Sequence, residues 1–481
     1  MRHLKRKFLR ALPLFLSLCF TFEISAESKQ NQINDKRTRK TLEEKKPLIP
    51  MEIKKTFVQK KEVLHTAPVV MVASLDLKYL QYHPLDSYRV FQTDKEGTVS
   101  PIPFQIDEID LYSDYILPSG PNPNTAFSNK IFDNRDELSI MGADIGEAVR
   151  PQNWGKMPKP RLLYEVLFDN GKRKGAVYIG LYSKSKRTEA SLSKKKYVHF
   201  DMKRAEVITN KYIYDFGQKN YLVIKEAHIK KQETEKTIKL LDDSTFFLQV
   251  DFKYFLTFRL NQSDIESELD AYRLGPIRAI ARVNFTYKFL SMNFDLGMYT
   301  EVSFFPNAIF LPAVIDHPID SEKTLNEESL FYYGFALMEN PKNLKINSNM
   351  PQYEKKGLFK LPDFLSKNPM EDLYWLSAVH PEYMIYIEFK PSEKMIQSQS
   401  FPSYYLENKT GPEVMKRRKT AAPLGESRVN VAVSFSLKDL KKGLHDVSFH
   451  LFLDNINKPE KLDEYKKLDN WQMATSKLKI K

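Results

Sequence analysis

The sequence predicts a mainly β protein with an antiparallel β-sandwich architecture, two packed β modules and few short helices. The 481-residue chain contains 32 Phe and 25 Tyr but only 16 Gly, and aromatic residues favour strands. Short alternating runs of apolar and polar residues recur along most of the chain, and Gly, Asp, Asn, Ser and Pro separate them, as in antiparallel sheets. Stretches with apolar residues at helical spacing are rare.

The N-terminus has the pattern of a secretory signal peptide over residues 1–26. Basic residues precede a short apolar run, Ala11–Phe22, and small residues lie just before Glu27. The apolar run is shorter than the roughly 20 residues that span a bilayer. We therefore expect export to the periplasm or the medium, with cleavage after Ala26 and no transmembrane anchor in the mature chain. Retention of the segment as an uncleaved anchor is the alternative.

The next segment, residues 27–65, is polar and mixed in charge. Lysine and arginine outnumber aspartate and glutamate in it, and it has almost no apolar periodicity. Such a composition cannot bury enough apolar surface to fold on its own. We predict a flexible charged tether between the export signal and the folded part.

The folded part is predicted to begin with a strand near Ala67–Leu77. Its clearest local signal is a hairpin at residues 161–184, where two β-rich runs flank Asp169-Asn170-Gly171. Asn and Gly tolerate the positive φ angles that tight hairpin turns require. These two runs should therefore pair with each other.

A polar stretch rich in Lys and Ser, Ser183–Lys196, is the predicted domain boundary. It separates an N-terminal β module, residues 66–183, from a larger β-sandwich domain, residues 197–481. Within the larger domain, Ser263–Gly275 has helical spacing, a serine at its start and a glycine at its end, which predicts one short helix.

Cysteine and charge restrict the chemistry. The single cysteine, Cys19, lies in the predicted signal peptide, so disulfides, thiolate zinc sites and cysteine nucleophiles are excluded from the mature chain. The formal net charge of +13 is compatible with a glycan or an anionic envelope component as partner, although solubility alone also explains it. An exported chain without a known basic motif is not expected to bind nucleic acid.

Acidic residues cluster in two motifs, PIPFQIDEID and FDNRDELSIMGADIG, with a loop rich in Pro and Asn between them. Calcium takes several carboxylate and carbonyl oxygens that converge on one point. The candidate metal ligands are Asp107, Glu108, Asp133, Asp136, Glu137 and Asp144. Arg135 occupies the second ligand position of the calcium-loop pattern, which argues against this cofactor. In the alternative interpretation, Asp133 and Asn134 form a turn and Glu137 begins a strand.

The same two motifs resemble a segment of uncharacterised secreted bacterial β-rich proteins, with P-x-Q-x-D-E followed by D-E-L-x-x-M-x-x-D-x-G. This resemblance implies a shared β module and no known activity. Further along, LGPIRAIARVNF is similar to a strand in large sugar-binding sandwiches of the galactose-mutarotase type. That looser resemblance implies a sandwich fold.

Two arginines form a second candidate site. Arg278 and Arg282 are four residues apart, so both lie on one face of an extended strand. Two guanidinium groups on one face can hold a carboxylate, sulfate or phosphate. In the alternative, the face is exposed and the arginine stems cover apolar neighbours. Tyr287 is a further ligand-binding candidate, and Glu301 is a candidate partner for one arginine.

His317 is the histidine best placed for chemistry. It lies between Asp316 and Asp320, and carboxylates orient histidine as a base or metal ligand, although DHP is also ordinary turn chemistry. The metalloprotease pattern H-E-x-x-H and the nucleophile elbow G-x-S-x-G do not occur. No catalytic residue follows from the sequence.

Three functions remain open. The leading hypothesis is an exported glycan- or cell-envelope-binding protein without catalysis, which requires exposed aromatic residues on one sheet face. The first alternative is a polysaccharide-active lyase or hydrolase, which requires Arg278, a His or Tyr and a carboxylate in one cleft. The second is a structural component of an envelope assembly that docks through residues 27–65.

Overall fold

The computed structural model describes residues 68–74, 76–169, 174–187, 189–190, 192–201, 203–216, 221, 224–230, 237–253, 257–261, 265–289, 292–317, 320–327, 329–337, 345–350, 374–381, 383–391, 395–396, 403–407, 429–438, 440–454 and 472–478. The predicted signal peptide and the predicted tether lie outside these residues. The side chains of some strand residues, among them Tyr287 and His317, are also outside the description.

The described part of the chain is built almost entirely of strands. The first nine are β1 (Pro68–Val72), β2 (His83–Pro84), β3 (Tyr88–Thr93), β4 (Val99–Pro101), β5 (Phe104–Asp107), β6 (Ile131–Phe132), β7 (Glu137–Met141), β8 (Leu162–Asp169) and β9 (Lys174–Leu181). The next nine are β10 (Val198–Asp201), β11 (Glu206–Thr209), β12 (Tyr212–Phe216), β13 (Ile224–Lys230), β14 (Thr237–Asp251), β15 (Thr257–Asn261), β16 (Ile265–Leu274), β17 (Ala279–Phe289) and β18 (Met292–Phe304). The last nine are β19 (Ala308–His317), β20 (Leu330–Leu337), β21 (Lys345–Ser348), β22 (Tyr374–His380), β23 (Tyr383–Lys390), β24 (Ser403–Glu407), β25 (Val429–Ser436), β26 (Gly443–Asp454) and β27 (Gln472–Leu478).

Helical structure among the described residues is short. One α-helix, α1, spans Ser321–Thr324, and single 3-10 turns lie at Leu85–Ser87, Thr125–Phe127, Gly142–Asp144 and Lys184–Lys186. None of the described helices has the length and apolar character that a membrane span requires. The predicted fold class, mainly β with few short helices, is confirmed.

The first nine strands and β27 form a small sandwich. A three-stranded sheet, β1–β7–β5, faces a five-stranded sheet, β27–β8–β9–β3–β4, and β2 pairs with β6. Alternation along β8 explains the packing, because Tyr164, Val166 and Phe168 all point into the core between the sheets. The last strand of the chain therefore completes the sheet of its first module: β27 pairs with β8 from Gln472 opposite Asp169 onward.

The remaining strands form a larger sandwich. A nine-stranded sheet contains β10–β11–β12–β13–β14–β20–β25–β24 with β15 paired to β14. It packs on an eight-stranded sheet, β16–β17–β18–β19–β26–β23–β22–β21, and both sheets contribute to one buried core. The predicted boundary stretch lies between β9 and β10. The division at residues 183 and 197 stays a prediction. Strand β27 belongs to the second part in sequence but pairs with β8 of the first part.

The hairpin prediction agrees with the strand pairing, and the helix prediction is wrong. β8 and β9 pair up to Asp169 opposite Lys174. The stretch predicted as a helix is instead strand β16, which pairs with β17 along its length. Ser267, Leu269 and Ala271 are buried at every second position, so the sequence satisfies a period of two as well as a helical one. Pairing with β17 decides between them.

Candidate functional site

The acidic motifs and the arginine motif meet in one place. Asp107 ends β5 and lies opposite Glu137, the first residue of β7. Arg278, just before β17, donates from Nε to Asp107 at 2.8 Å and from Nη2 to Glu137 at 2.6 Å. Arg273 Nε lies 3.0 Å from the other Asp107 oxygen. Residues more than 130 positions apart in the chain therefore form one set of ion pairs between the two sandwiches.

The second arginine extends this set. Arg282 donates to Glu301 from Nε at 3.0 Å and from Nη2 at 2.6 Å, so the predicted Arg–Glu301 pairing is present. The other Glu301 oxygen accepts the Tyr115 backbone N–H at 3.0 Å. Asp114 lies 3.7 Å from Arg282 and accepts the Tyr299 hydroxyl at 2.6 Å. Burial raises the pKa of Glu301 to about 7, against the opposing effect of Arg282.

These residues form one charge network, most of which is buried. The buried charge network comprises four carboxylates, three arginines and two tyrosines: Asp107, Asp114, Glu137, Glu301, Arg273, Arg278, Arg282, Tyr115 and Tyr299. Arg278 is 2% exposed and Asp107 0%, and the Arg278 guanidinium lies 5.0 Å from the Tyr115 ring centre and 5.4 Å from that of Phe305. Burial lowers the pKa of Arg278, but Tyr115, Asp107 and Glu137 raise it by more. Both arginines are buried rather than exposed, and their Nε and Nη2 atoms bind the protein's own carboxylates.

Gln105 locks the network to the backbone. Its Oε1 accepts the Arg278 N–H at 3.0 Å and the Ile277 N–H at 3.3 Å, and its Nε2 donates to Asp107 at 2.8 Å. The amide fits only because residue 275 is glycine: a Cβ on Gly275 would lie 1.7 Å from Gln105 Oε1. The GPIR segment is thus shaped to receive a side chain from β5.

The motif with Asp133 and Asp136 is a turn that leads into β7. The Arg135 N–H donates to Asp133 Oδ1 at 2.9 Å, and the Arg135 guanidinium binds the same carboxylate at 2.6 Å. Asp136 accepts the Asp133 N–H at 2.7 Å and the Ile109 N–H at 2.9 Å. This geometry matches the turn interpretation, in which a short polar side chain closes the turn on its own backbone.

The remaining metal candidates also bind protein donors. Glu108 accepts the Ser128 hydroxyl at 2.8 Å and the Lys130 N–H at 2.9 Å. Asp144 accepts from Lys195 Nζ at 3.0 Å and from the Tyr197 hydroxyl at 2.6 Å. Within the described ranges, no three His, Cys, Asp or Glu side chains are grouped so as to hold a metal ion. The calcium hypothesis therefore gains no support from the geometry.

Asp136 gives the first testable prediction. Burial raises its pKa to about 6, from an ordinary value of 3.8. The folded chain therefore holds this proton more tightly than the unfolded chain, so the carboxyl's contribution to stability is full below pH 3.8 and is lost as the pH rises through 6. Relative to Asp136→Asn, we expect the wild-type free energy of unfolding to fall by about 2 kcal/mol between pH 4 and pH 7.

Urea unfolding of both proteins across this pH range measures the difference. Asp136 accepts one N–H on each of its two oxygens, and asparagine has only one acceptor oxygen. The lost hydrogen bond adds a constant difference between the two free energies of unfolding, and this difference does not depend on pH. A difference between the two proteins that stays constant from pH 4 to pH 7 would contradict the assignment.

Two predicted ligand residues are not joined to the network by any described contact. Tyr287 lies in β17, opposite Ile265 of β16, and His317 is the last residue of β19, opposite Gly443. Their side chains lie outside the description. Their proposed roles therefore stay predictions.

An exposed aromatic pair lies on the loops that the buried network holds. Tyr112 and Phe127 are 56% and 60% exposed, and their rings meet edge to face with centres 6.4 Å apart. Tyr112 follows β5 by five residues, and Phe127 ends the 3-10 turn before β6. The leading hypothesis expected exposed aromatic residues on a sheet face, and these lie on loops instead.

Two polar side chains, buried Asp110 and half-buried Asn124, fix the two turns. Asp110 Oδ1 accepts the N–H groups of Tyr112 at 2.8 Å and Asp114 at 3.0 Å, which closes the first turn. Asn124 Oδ1 accepts the Leu117 N–H at 2.6 Å, and the Phe127 N–H donates to the Asn124 carbonyl at 3.2 Å. Asp110 of the motif PIPFQIDEID and Asn124 of the following loop therefore hold the backbone that carries the aromatic pair.

The sequence did not point to either exposed aromatic residue or to four members of the network, Asp114, Tyr115, Tyr299 and Arg273. Tyr115 and Tyr299 are ordinary residues of an aromatic-rich chain, and Arg273 stood in a stretch predicted as helix. One signal was present: D-x-Y-x-D at Asp110–Asp114 is typical of a turn closed by an aspartate side chain. Such a turn places its middle side chains in solvent.

No protein family and no curated protein matches this chain. Among solved structures it is similar to an alpha-mannosidase from Enterococcus faecalis V583, with a TM-score of 0.37 and 10% identity over 85% of this chain and 44% of that one. It is similar, with the same TM-score and identity, to a protein in the glycosyl hydrolase family 38 from Enterococcus faecalis, over 85% of this chain and 45% of that one. The chain spans less than half the length of these two proteins. At this TM-score the likeness establishes neither a shared fold nor a shared activity.

Proposed function

We propose that this is an exported glycan-binding protein and that the aromatic pair, Tyr112 and Phe127, is its ligand contact. The observation that carries the proposal is the exposure of two adjoining rings on turns that buried Asp110 and half-buried Asn124 hold in place. Exposure of aromatic rings to water is unfavourable, and a ligand that covers the rings removes this cost. The C–H face of a pyranose ring is a suitable cover, because its polarised hydrogens lie against the negative face of the aromatic ring. Export rests on the signal pattern of residues 1–26.

The charge around the pair favours a neutral glycan. Residues 107–115 contain four carboxylates and no lysine or arginine. Asp107 and Asp114 face arginines of the network, but Glu108 and Asp110 accept from neutral N–H and hydroxyl donors, so their charge would repel a carboxylate- or sulfate-bearing sugar. The arginines that might have bound an acidic sugar, Arg278 and Arg282, are committed to Asp107, Glu137 and Glu301.

The enzyme alternative finds no open cleft at the arginines. Arg278, Tyr115 and two carboxylates do converge, as that alternative required, but Arg278 and Asp107 are buried, Tyr115 and Glu137 are half-buried, and the four are hydrogen-bonded to one another. A substrate would have to break these ion pairs to reach them, and unpaired buried charges cost several kcal/mol each, of the order of 3–5 kcal/mol. Binding without catalysis is therefore the function that this geometry supports.

The proposal is tested by glycan binding of the wild type and of Tyr112→Ala/Phe127→Ala. A glycan array with neutral and uronic-acid-containing members identifies the ligand, and calorimetric titration gives its affinity. We expect a neutral glycan to bind and the double variant to lose about 10- to 100-fold in affinity, because both stacking surfaces are gone.

Tyr112→Phe and Phe127→Tyr are the matched controls. Each keeps its ring, so each should bind within a few-fold of the wild type. All variants should unfold at the wild-type temperature, since the truncated rings are exposed. An array without any bound glycan, or equal binding by the double alanine variant, would overturn the proposal.

A further inference from the structure

A basic loop on the small sandwich carries several positive charges that lie outside the proposed glycan site. This loop, Ser183–Lys196, connects β9 to β10, and its described residues include one acid, Glu189. Its cationic residues are Lys184, Lys186, Arg187, Lys194, Lys195 and Lys196. Such a concentration of one sign of charge is unfavourable for the folded state alone, because the cations repel one another.

A buried arginine fixes the first half of the loop. Arg89, on β3, donates to the carbonyls of Ala190 at 3.2 Å and Arg187 at 2.7 Å, and it also binds the carbonyl of Tyr88 at 2.6 Å. Arg187 in turn forms an ion pair with Asp86. Burial lowers the pKa of Arg89, against the opposing effects of Tyr182 and Asp86. The loop conformation is therefore built into the module.

The second half of the loop is fixed at its end. Lys195 binds Asp144 at 3.0 Å, lies 4.2 Å from the Tyr197 ring centre, and Tyr197 donates its N–H to the Pro276 carbonyl at 2.8 Å. Two of the six cations, Arg187 and Lys195, are thus used to hold the loop.

The other four cations and one leucine project into solvent. Lys184, Lys186, Lys194 and Lys196 are exposed, and none of them forms an ion pair with a residue that the structure describes. Leu192, between the two lysine pairs in sequence, is 56% exposed. An apolar side chain flanked by lysines matches the boundary between lipid headgroups and acyl chains, where ammonium groups bind phosphates and the leucine enters the hydrocarbon.

We infer that the basic loop binds an anionic lipid surface. A soluble polyanion satisfies the four lysines but offers nothing to Leu192, whereas an anionic bilayer satisfies both. Each lysine near such a surface contributes about 1 kcal/mol, which the salt of the medium screens. The loop would hold the exported protein at a membrane while the aromatic pair stays available for its own ligand.

Vesicle cosedimentation tests the inference on the protein as recovered after export. The probes are phosphatidylcholine vesicles with and without phosphatidylglycerol. We expect binding only to the vesicles that contain phosphatidylglycerol, and Lys184→Gln/Lys186→Gln/Lys194→Gln/Lys196→Gln should weaken it by more than about tenfold. The charge-matched control Lys156→Gln/Lys203→Gln/Lys345→Gln/Lys442→Gln, made at exposed lysines elsewhere, should bind like the wild type.

The remaining cations of the chain are identical in both variants, so the comparison isolates the loop. Leu192→Ser should weaken vesicle binding about threefold or more and leave binding to dextran sulfate, a soluble polyanion, unchanged. Equal losses in the two fourfold variants would show a general charge effect and overturn the inference. So would binding of the wild type to dextran sulfate without binding to phosphatidylglycerol vesicles.

Discussion

Replacing Arg278 with methionine is expected to lower the free energy of unfolding by about 3–5 kcal/mol, the largest effect of any single substitution considered for this chain. Methionine keeps most of the volume but removes the cation that Asp107 and Glu137 share. Asp107 is fully buried, so without Arg278 water cannot replace the lost cation and only Arg273 and Gln105 still bind the carboxylate. Urea unfolding at pH 7, followed by circular dichroism, measures the loss.

A neighbouring arginine is the control. Arg273 also binds Asp107, but it is 24% exposed and can be replaced by water, so Arg273→Met should cost only about 1 kcal/mol. If Arg278→Met cannot be recovered folded, Arg278→Lys is the substitute. It keeps the positive charge but places it on a single nitrogen, so it should give an intermediate loss of unfolding free energy. Equal stabilities for the Arg278 and Arg273 variants would show that burial of Arg278 does not matter.

Gly275→Ala is expected to destabilise the fold by about 2–4 kcal/mol, although it adds one methyl group. The new Cβ would occupy the position of the Gln105 amide, 1.7 Å from Oε1 and 2.0 Å from Cδ. Gln105 must then leave its bonds to the Arg278 N–H and to Asp107. Thermal unfolding together with urea titration measures the loss.

The double variant Gln105→Ala/Gly275→Ala separates this collision from a general effect of alanine. With the amide removed, the methyl group has room, so the double variant should be about as stable as Gln105→Ala alone. Additive losses would mean that Gly275 is needed for a reason other than Gln105.

Strand content and local hairpins could be predicted because their signals lie within a few residues. The hairpin β8–β9 follows from alternation around Asp169-Asn170-Gly171. β16 could not be predicted, because Ser263–Gly275 satisfies both periods and only its partner β17 decides. The return of β27 to β8 has no local signal, since some three hundred residues separate the paired strands.

The site residues divide in the same way. Both motifs were identified, and the pairing of Arg282 with Glu301 follows from adjacent strands in one sheet. That the acids of β5 and β7 would bind Arg278 could not be predicted, because the contact joins two sandwiches and depends on how they pack. The D-x-Y-x-D pattern was the one signal for the exposure of Tyr112, and Phe127 had no such signal, since most of the aromatic side chains that the structure describes lie in the cores.

The acidic and arginine motifs are two halves of one structural network. A double-mutant cycle between Asp107 and Arg278 tests this claim most directly, with Asp107→Asn, Arg278→Met and the double variant measured by urea unfolding. We expect a coupling free energy of at least about 2 kcal/mol, with the double variant more stable than Arg278→Met alone, because no uncompensated charge remains at Asp107. If the effects of the two single substitutions add within about 0.5 kcal/mol, the two residues are not coupled and the network is contradicted.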